Sequence, residues 1–144
     1  MMASDPERHR VIDITTGPET LENIHGVLAD LWTDHDIPEL VRIHADLAAG
    51  EIGANIIEHA GGGSPVRLRM EGQVLADGIR IMFTDDGIPA RVDLSQTTTM
   101  PDEMAERGRG LAIASRVLDE LSYHRDSDGN HWTLIRQLAP SADR

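Results

Sequence analysis

From Val11 to Thr15 apolar and polar residues alternate, the period-two pattern of a strand with one buried face. Thr15-Thr16-Gly17-Pro18-Glu19 then breaks the alternation and offers a helix start, with proline early and an acidic residue in the first turn. Leu21, Ile24, Leu28, Leu31 and Trp32 follow at helical spacing. Pro38 opens a second helix that runs to about Ala60, where Gly61-Gly62-Gly63-Ser64-Pro65 breaks it. Val66, Leu68 and Met70 alternate with Arg67, Arg69 and Glu71, which predicts a half-buried strand. Asp77-Gly78 is a turn signal, and Ile79, Ile81 and Phe83 form the returning strand of an antiparallel hairpin.

The stretch from Gly87 to Arg109 has weak periodicity and carries the polar run Ser95 to Glu103, so it reads as a functional lid or binding loop. Beyond it, Leu111, Ala114, Val117, Leu118 and Leu121 mark a third helix. Two strands, Leu121 to Arg125 and His131 to Gln137, close the chain around the turn Asp126-Ser127-Asp128-Gly129-Asn130. Helices combined with mostly antiparallel strands predict an α+β fold, a two-layer α/β sandwich with the helices on one face of the sheet. No internal repeat or linker divides the 144 residues, which suit one domain. The tails, up to about Glu7 and from about Pro140, read as flexible.

Charge and composition narrow the function classes. The formal net charge of -12 repels phosphate backbones and argues against nucleic acid as the primary partner. Trp32, Phe83, Tyr123 and Trp132 are the aromatic side chains, too few for a base-stacking platform. The acidity fits a solvated surface, or a face that steers a basic protein partner. The absence of cysteine rules out disulfides and thiolate metal sites. The polar first residues lack a signal peptide's apolar stretch, and no segment is apolar for long enough to span a bilayer, so a cytoplasmic location away from the membrane is expected.

The second helix breaks its own pattern. On a helical wheel with Glu51 at zero, Asn55 falls at about 40° and His59 at about 80°. Leu47 lies at about -40°, Ile52 at about 100° and Ile56 at about 140° on the same wheel. The polar trio therefore sits inside the apolar arc, with Arg42, Asp46 and Gly53 on the opposite, solvent side. A carboxylate and an amide facing a core cost free energy unless they are paired or line a cavity. Each residue also has an ordinary structural use: Glu51 as a loop cap or arginine partner, Asn55 as a partner for buried backbone groups, His59 as a helix C-terminal dipole partner. On this helix alone the two readings balance.

Two glycine motifs tip the balance. The hairpin ends in Phe83-Thr84-Asp85-Asp86-Gly87-Ile88-Pro89, an ordinary turn when taken alone. In a site, Asp85 would accept a hydrogen bond from an exocyclic amine and Gly87 would let the backbone approach a flat ring. The predicted loop ends in Glu106-Arg107-Gly108-Arg109-Gly110-Leu111, entering a helix. Gly108 and Gly110 would bring backbone amides close to an anion, aided by the helix N-terminus, and Arg107 and Arg109 would add charge-assisted phosphate contacts. The spacing fits neither the Rossmann fingerprint nor a P-loop.

Glu51-x3-Asn55-x3-His59 on a helix, Asp85-x-Gly87 after a strand, then Gly108-x-Gly110 entering a helix resembles the GHKL, or Bergerat-fold, ATPase superfamily, over nearly the whole chain from Val11 to the last strand. Within it, the short length and the forms of the two glycine motifs are similar to the anti-sigma-factor serine/threonine kinases of bacteria. The resemblance implies ATP and Mg2+ as cofactors. It implies that Asn55 holds the magnesium and that Glu51 is the general base for an incoming serine hydroxyl. Asp85 would read the adenine amine and Gly87 support the ring. Gly108 and Gly110 would close on the phosphates, and Arg107 would touch the terminal phosphate or the partner. Thr133 is placed near the adenine by a looser correspondence. Pro89 replaces the second glycine common in histidine kinases, Ala90 stands where an aromatic residue is usual, and the phosphoacceptor segment of a histidine kinase is lacking.

The implied activity is phosphorylation of a small anti-anti-sigma-like antagonist on serine or threonine, with a sigma factor or similar regulatory protein as second partner and a homodimer as the family's tendency. The alternatives are an ATP-dependent binding switch without catalysis and an in-trans histidine kinase domain. Glu51 favours the kinase, because a switch needs no base.

Overall fold

The computed structural model describes residues 8–33, 35–90 and 105–138, with the backbone alone for 105–108. Both tails and residues 91–104 of the expected lid lie outside the described residues. The elements run β1 (His9–Thr15), α1 (Thr20–Thr33), α2 (Glu39–His59), β2 (Arg67–Val74), β3 (Gly78–Asp85), α3 (Ala105–Val117), β4 (Glu120–Asp126) and β5 (Gly129–Gln137). The strands form one antiparallel sheet in the order β1-β2-β3-β5-β4. The expected two-layer α+β architecture is what the chain adopts.

Alternation along the strands creates the two faces. Leu68, Met70, Ile79, Ile81, Phe83, Trp132 and Leu134 are buried under the helices, while their neighbours in sequence face the other way. Each fully buried side chain of this size contributes about 1.5–3 kcal/mol from water exclusion. Thr20 rather than Pro18 begins α1. Its hydroxyl accepts a hydrogen bond from the Gly17 amide at 2.7 Å, and its own amide donates to the Gly17 carbonyl at 3.1 Å.

The helical wheel needs two corrections. Gly53, expected on the solvent side of α2, is buried. A Cβ there would stand 2.5 Å from Ile24 Cδ1, so α1 packs tightly on that flank. Leu47, expected in the apolar arc, is 40% exposed and continues the exposed apolar positions Leu40 and Ile43. The wheel assumes one buried face, but α2 is the central helix. It packs against α1, α3 and the sheet, with Ala45, Ala48, Ala49 and Gly53 keeping its surface thin where they meet.

The third helix also differs. It begins at Ala105, so Gly108 and Gly110 lie inside it rather than ahead of it. It ends at Val117, and Leu121 belongs to β4. The Asp119 amide already bonds the Ile135 carbonyl at 2.8 Å, so sheet pairing takes over from the helix there. No helix among the described residues is long and apolar enough to cross a membrane.

Candidate functional site

The C-terminal half of α2 and the ends of β3 and β5 converge on a cavity of about 150 Å³. Asn55, Ile56, His59 and Ala60 line it from α2, and Asp85 from the last position of β3. Ile88, Pro89 and Ala90 close one side, with Asn130 and Trp132 contributed by β5. Pockets for drug-sized ligands run to about 300 Å³ and above, so this cavity suits a single flat ring with the rest of the ligand outside it.

Asp85 is the chemically distinctive group here. It is only 2% exposed. Its Oδ1 accepts the Gly87 amide at 2.8 Å and Asn130 Nδ2 at 2.9 Å. Desolvation pushes its carboxyl above the ordinary value of 3.8, with Asp86 adding to the rise. The Asn130 and Gly87 hydrogen bonds and the nearby Arg125 pull the other way. A buried carboxylate bonded through one oxygen at a cavity wall is an acceptor poised for a donor on a ligand.

Asn130 organises the floor. Besides Asp85, its Nδ2 donates to the Ile88 carbonyl at 2.8 Å. Its Oδ1 accepts from the Tyr123 hydroxyl at 2.5 Å and from Arg125 Nη1 at 3.1 Å. The Tyr123 oxygen in turn accepts the Ala90 amide at 2.9 Å, and Arg125 Nη1 also donates to the Gly87 carbonyl at 2.9 Å. The β4–β5 hairpin thus holds the segment after β3 by direct side-chain bonds.

The two glycines at this junction serve close approach. A Cβ on Gly87 would stand 2.2 Å from the Ala60 carbonyl oxygen, which accepts the Ile88 amide at 2.7 Å. The α2 C-terminus is thereby capped by the segment that forms the cavity. Gly129 has φ +126°, and a Cβ there would meet the Asp85 carbonyl oxygen at 2.1 Å. Gly129→Ala is therefore expected to lower stability by at least about 1–3 kcal/mol, the cost of the strained dihedral alone. Urea unfolding checks this, and an unchanged midpoint would refute the constraint.

Asn55, His59, Asp85 and Gly87 are brought together, as the motif spacing implied. Glu51 lies one turn before Asn55 on α2 and is packed by α3, since a Cβ on Gly110 would come within 2.5 Å of Glu51 Oε1. Arg109 is exposed on α3. Arg107 and Gly108 are part of the α3 backbone, and the Arg107 side chain lies outside the described residues. Thr133 is not brought to the cavity. It pairs with Met82 and Ser122 on the face of β5 away from the helices. Asn130, three residues earlier, is the β5 residue that reaches Asp85. Its signal was available in the strand alternation Asn130, Trp132, Leu134, but a strand taken to begin at His131 leaves Asn130 in the turn.

This geometry can be set beside known proteins. Residues 14–136 match the histidine kinase-like ATPase domain. The chain belongs to that family. The matched span begins in β1 and ends in β5, so it takes in every element of the cavity. The chain is also 27% identical over 124 residues to the serine/threonine-protein kinase BtrW of Bordetella bronchiseptica, covering 82% of each chain. The GHKL resemblance drawn from the motifs is borne out, and ATP is the ligand that an ATPase domain of this type implies.

Proposed function

We propose that this protein is an ATP-dependent regulatory serine/threonine kinase that phosphorylates a small antagonist protein and controls a sigma factor or similar partner. The observation that carries the nucleotide part is the buried Asp85 carboxylate at the wall of a ring-sized cavity. Adenine fits this donor–acceptor pattern, with its exocyclic amine directed at Asp85 and its faces against Ile56, Ile88 and Trp132.

The phosphates would leave the cavity along α2. Asn55 and Glu51 lie along that path, about 6 Å apart in rise along the helix axis. Asn55 is a buried amide beside the cavity, an oxygen donor of the kind magnesium accepts. When bound, ATP with Mg2+ supplies the phosphoryl group and the charge neutralisation its transfer needs. Glu51 would take the proton from the acceptor hydroxyl, and Arg107, Gly108, Arg109 and Gly110 of α3 would meet the phosphates. The similarity to a serine/threonine-protein kinase supports a hydroxyl acceptor. The sigma-factor output rests on the resemblance of the motifs.

The test is incubation with γ-labelled ATP, magnesium and the antagonist-like proteins encoded beside it. Label on one serine or threonine of an antagonist is the expected result. Nucleotide binding with no transfer to any of them would leave a binding switch in place of the kinase.

A further inference from the structure

The β4–β5 hairpin carries the cavity floor on one face and a different group of side chains on the other. Tyr123, Arg125 and Asn130 serve the cavity. His124, Asp126 and His131 project from the opposite face. We propose that these three residues form a binding site for a zinc-class divalent cation, separate from the nucleotide cavity and from its magnesium.

The placement comes from strand register. His124 and His131 are directly paired across the hairpin, and Asp126 lies two residues beyond His124 on the same face. The two imidazoles are stacked, with ring centroids 4.7 Å apart and planes 16° from parallel. One donor atom from each residue lies within 4.8 Å of the others. Ligands around a tetrahedral zinc ion stand about 3.3 Å apart, so at most about 1.5 Å of closure is required. His124 is 66% exposed and can swing by that amount without disturbing the core.

The partners of His131 match what a metal-bound imidazole needs. Its Nδ1 lies 3.1 Å from Thr84 Oγ1 on β3, which fixes the ring. A second hydrogen bond on the far ring nitrogen is the usual device that orients a ligating histidine. Without metal, His131 Nε2–H donates to Asp126 Oδ1 at 2.8 Å. In the tautomer with the proton on Nδ1, donated to Thr84, Nε2 offers its lone pair to an ion on the side of Asp126. Asp126 is itself positioned by the Asp128 amide, which donates to Oδ1 at 2.8 Å. A cation entering between His131 Nε2 and Asp126 replaces that hydrogen bond, and the ring's single proton is exchanged through solvent from Nε2 to Nδ1.

The donor set decides the class of ion. Two imidazole nitrogens and one carboxylate suit zinc and its neighbours in the transition series, whereas magnesium prefers oxygen ligands in an octahedron. The chain's net charge of -12 favours any cation at its surface. Bound there, the ion staples the hairpin that presents Asn130 to Asp85. The site does not depend on the kinase reading, and its test needs no nucleotide.

The full chain, stripped of metal, is titrated with zinc chloride in competition with a chromophoric chelator, and separately with cobalt(II) for its visible absorption. One equivalent of zinc should bind, raise the melting temperature, and give a cobalt band typical of four-coordinate nitrogen and oxygen ligation. His124→Ala should weaken zinc binding at least tenfold and remove the cobalt band, with its circular dichroism unchanged. Asp126→Asn should weaken binding in the same direction. His35→Ala, just beyond the end of α1 with its ring on the Leu31 carbonyl and no part of the trio, should bind zinc as the parent does. Equal zinc affinity in the parent and His124→Ala, or no saturable binding by the parent, overturns the proposal.

Discussion

Glu51→Gln is expected to bind ATP with magnesium as the parent does and to transfer phosphate about a hundred- to ten-thousand-fold more slowly, the usual contribution of a general base. The effect should be confined to the chemical step for a structural reason. Glu51 does not line the ring cavity, whose walls are Asn55, Asp85, Asn130 and their apolar neighbours. Its carboxylate is the group that Gly110 of α3 packs against, so the amide isostere keeps that helix contact while removing the base. Glu51→Ala would remove both, and a fall in melting temperature would then accompany the loss of transfer. Single-turnover transfer to the antagonist, alongside calorimetric ATP titration, separates the outcomes. Equal transfer rates in parent and Glu51→Gln would remove Glu51 as the base. Loss of ATP binding in Glu51→Gln would instead make it part of the binding site.

Asp85→Asn should weaken ATP about 10- to 100-fold, the value of a hydrogen bond to a charged group. The direction follows from the geometry. Oδ1 is committed to Gly87 and Asn130, both donors, so an asparagine keeps its carbonyl there and turns its own NH2 toward the cavity. A donor then faces the donor of the adenine. Stability should not fall with affinity, because the substitution also removes a charge whose burial is unfavourable.

The pH dependence separates the same two effects. The folded state raises the Asp85 pKa above the ordinary 3.8, so it holds this proton more tightly than the unfolded chain. The stabilisation that protonation provides is fully present below about 3.8 and is lost as pH rises through the raised folded value. ATP affinity runs the opposite way, since a protonated carboxyl is a poorer acceptor, and it should fall as pH drops through that same value. Both slopes should be absent from Asp85→Asn. An unchanged ATP affinity in Asp85→Asn at neutral pH would show that Asp85 does not read the ring.

How much of this was legible along the chain depends on whether the signal was local. Strand alternation is local, and it located β2 and β3 and their antiparallel pairing through Asp77-Gly78. The motif spacing Glu51-x3-Asn55-x3-His59 is also local, because one helix turn brings the residues to one side regardless of what packs there. The polarity of that stripe, read against Ile52 and Ile56, leaves a pocket and an ordinary buried network in balance. Asp85 before Gly87 and the Gly108-x-Gly110 motif tip that balance towards a site, and the family the motifs resemble is the one that residues 14–136 match.

Other features depended on neighbours that sequence spacing does not name. Gly53 looked solvent-facing because a wheel has one inside and one outside, whereas α1 covers the second flank of α2. Gly108 and Gly110 are read ahead of a helix because the stretch up to Arg109 has weak periodicity, and the packing of Gly110 on Glu51 accounts for a glycine inside α3, where it otherwise costs about 1 kcal/mol. Thr133 and Asn130 differ by the parity of one strand, which depends on where pairing with β3 begins. The chain by itself determined the elements, their layers and the polar stripe on α2, since these follow from periodicity. The tertiary structure decided which side chain from β5 meets Asp85, what covers the far side of α2, and that His124, Asp126 and His131 come together on the other face of the β4–β5 hairpin, since each is a contact between residues set by register and packing rather than by spacing.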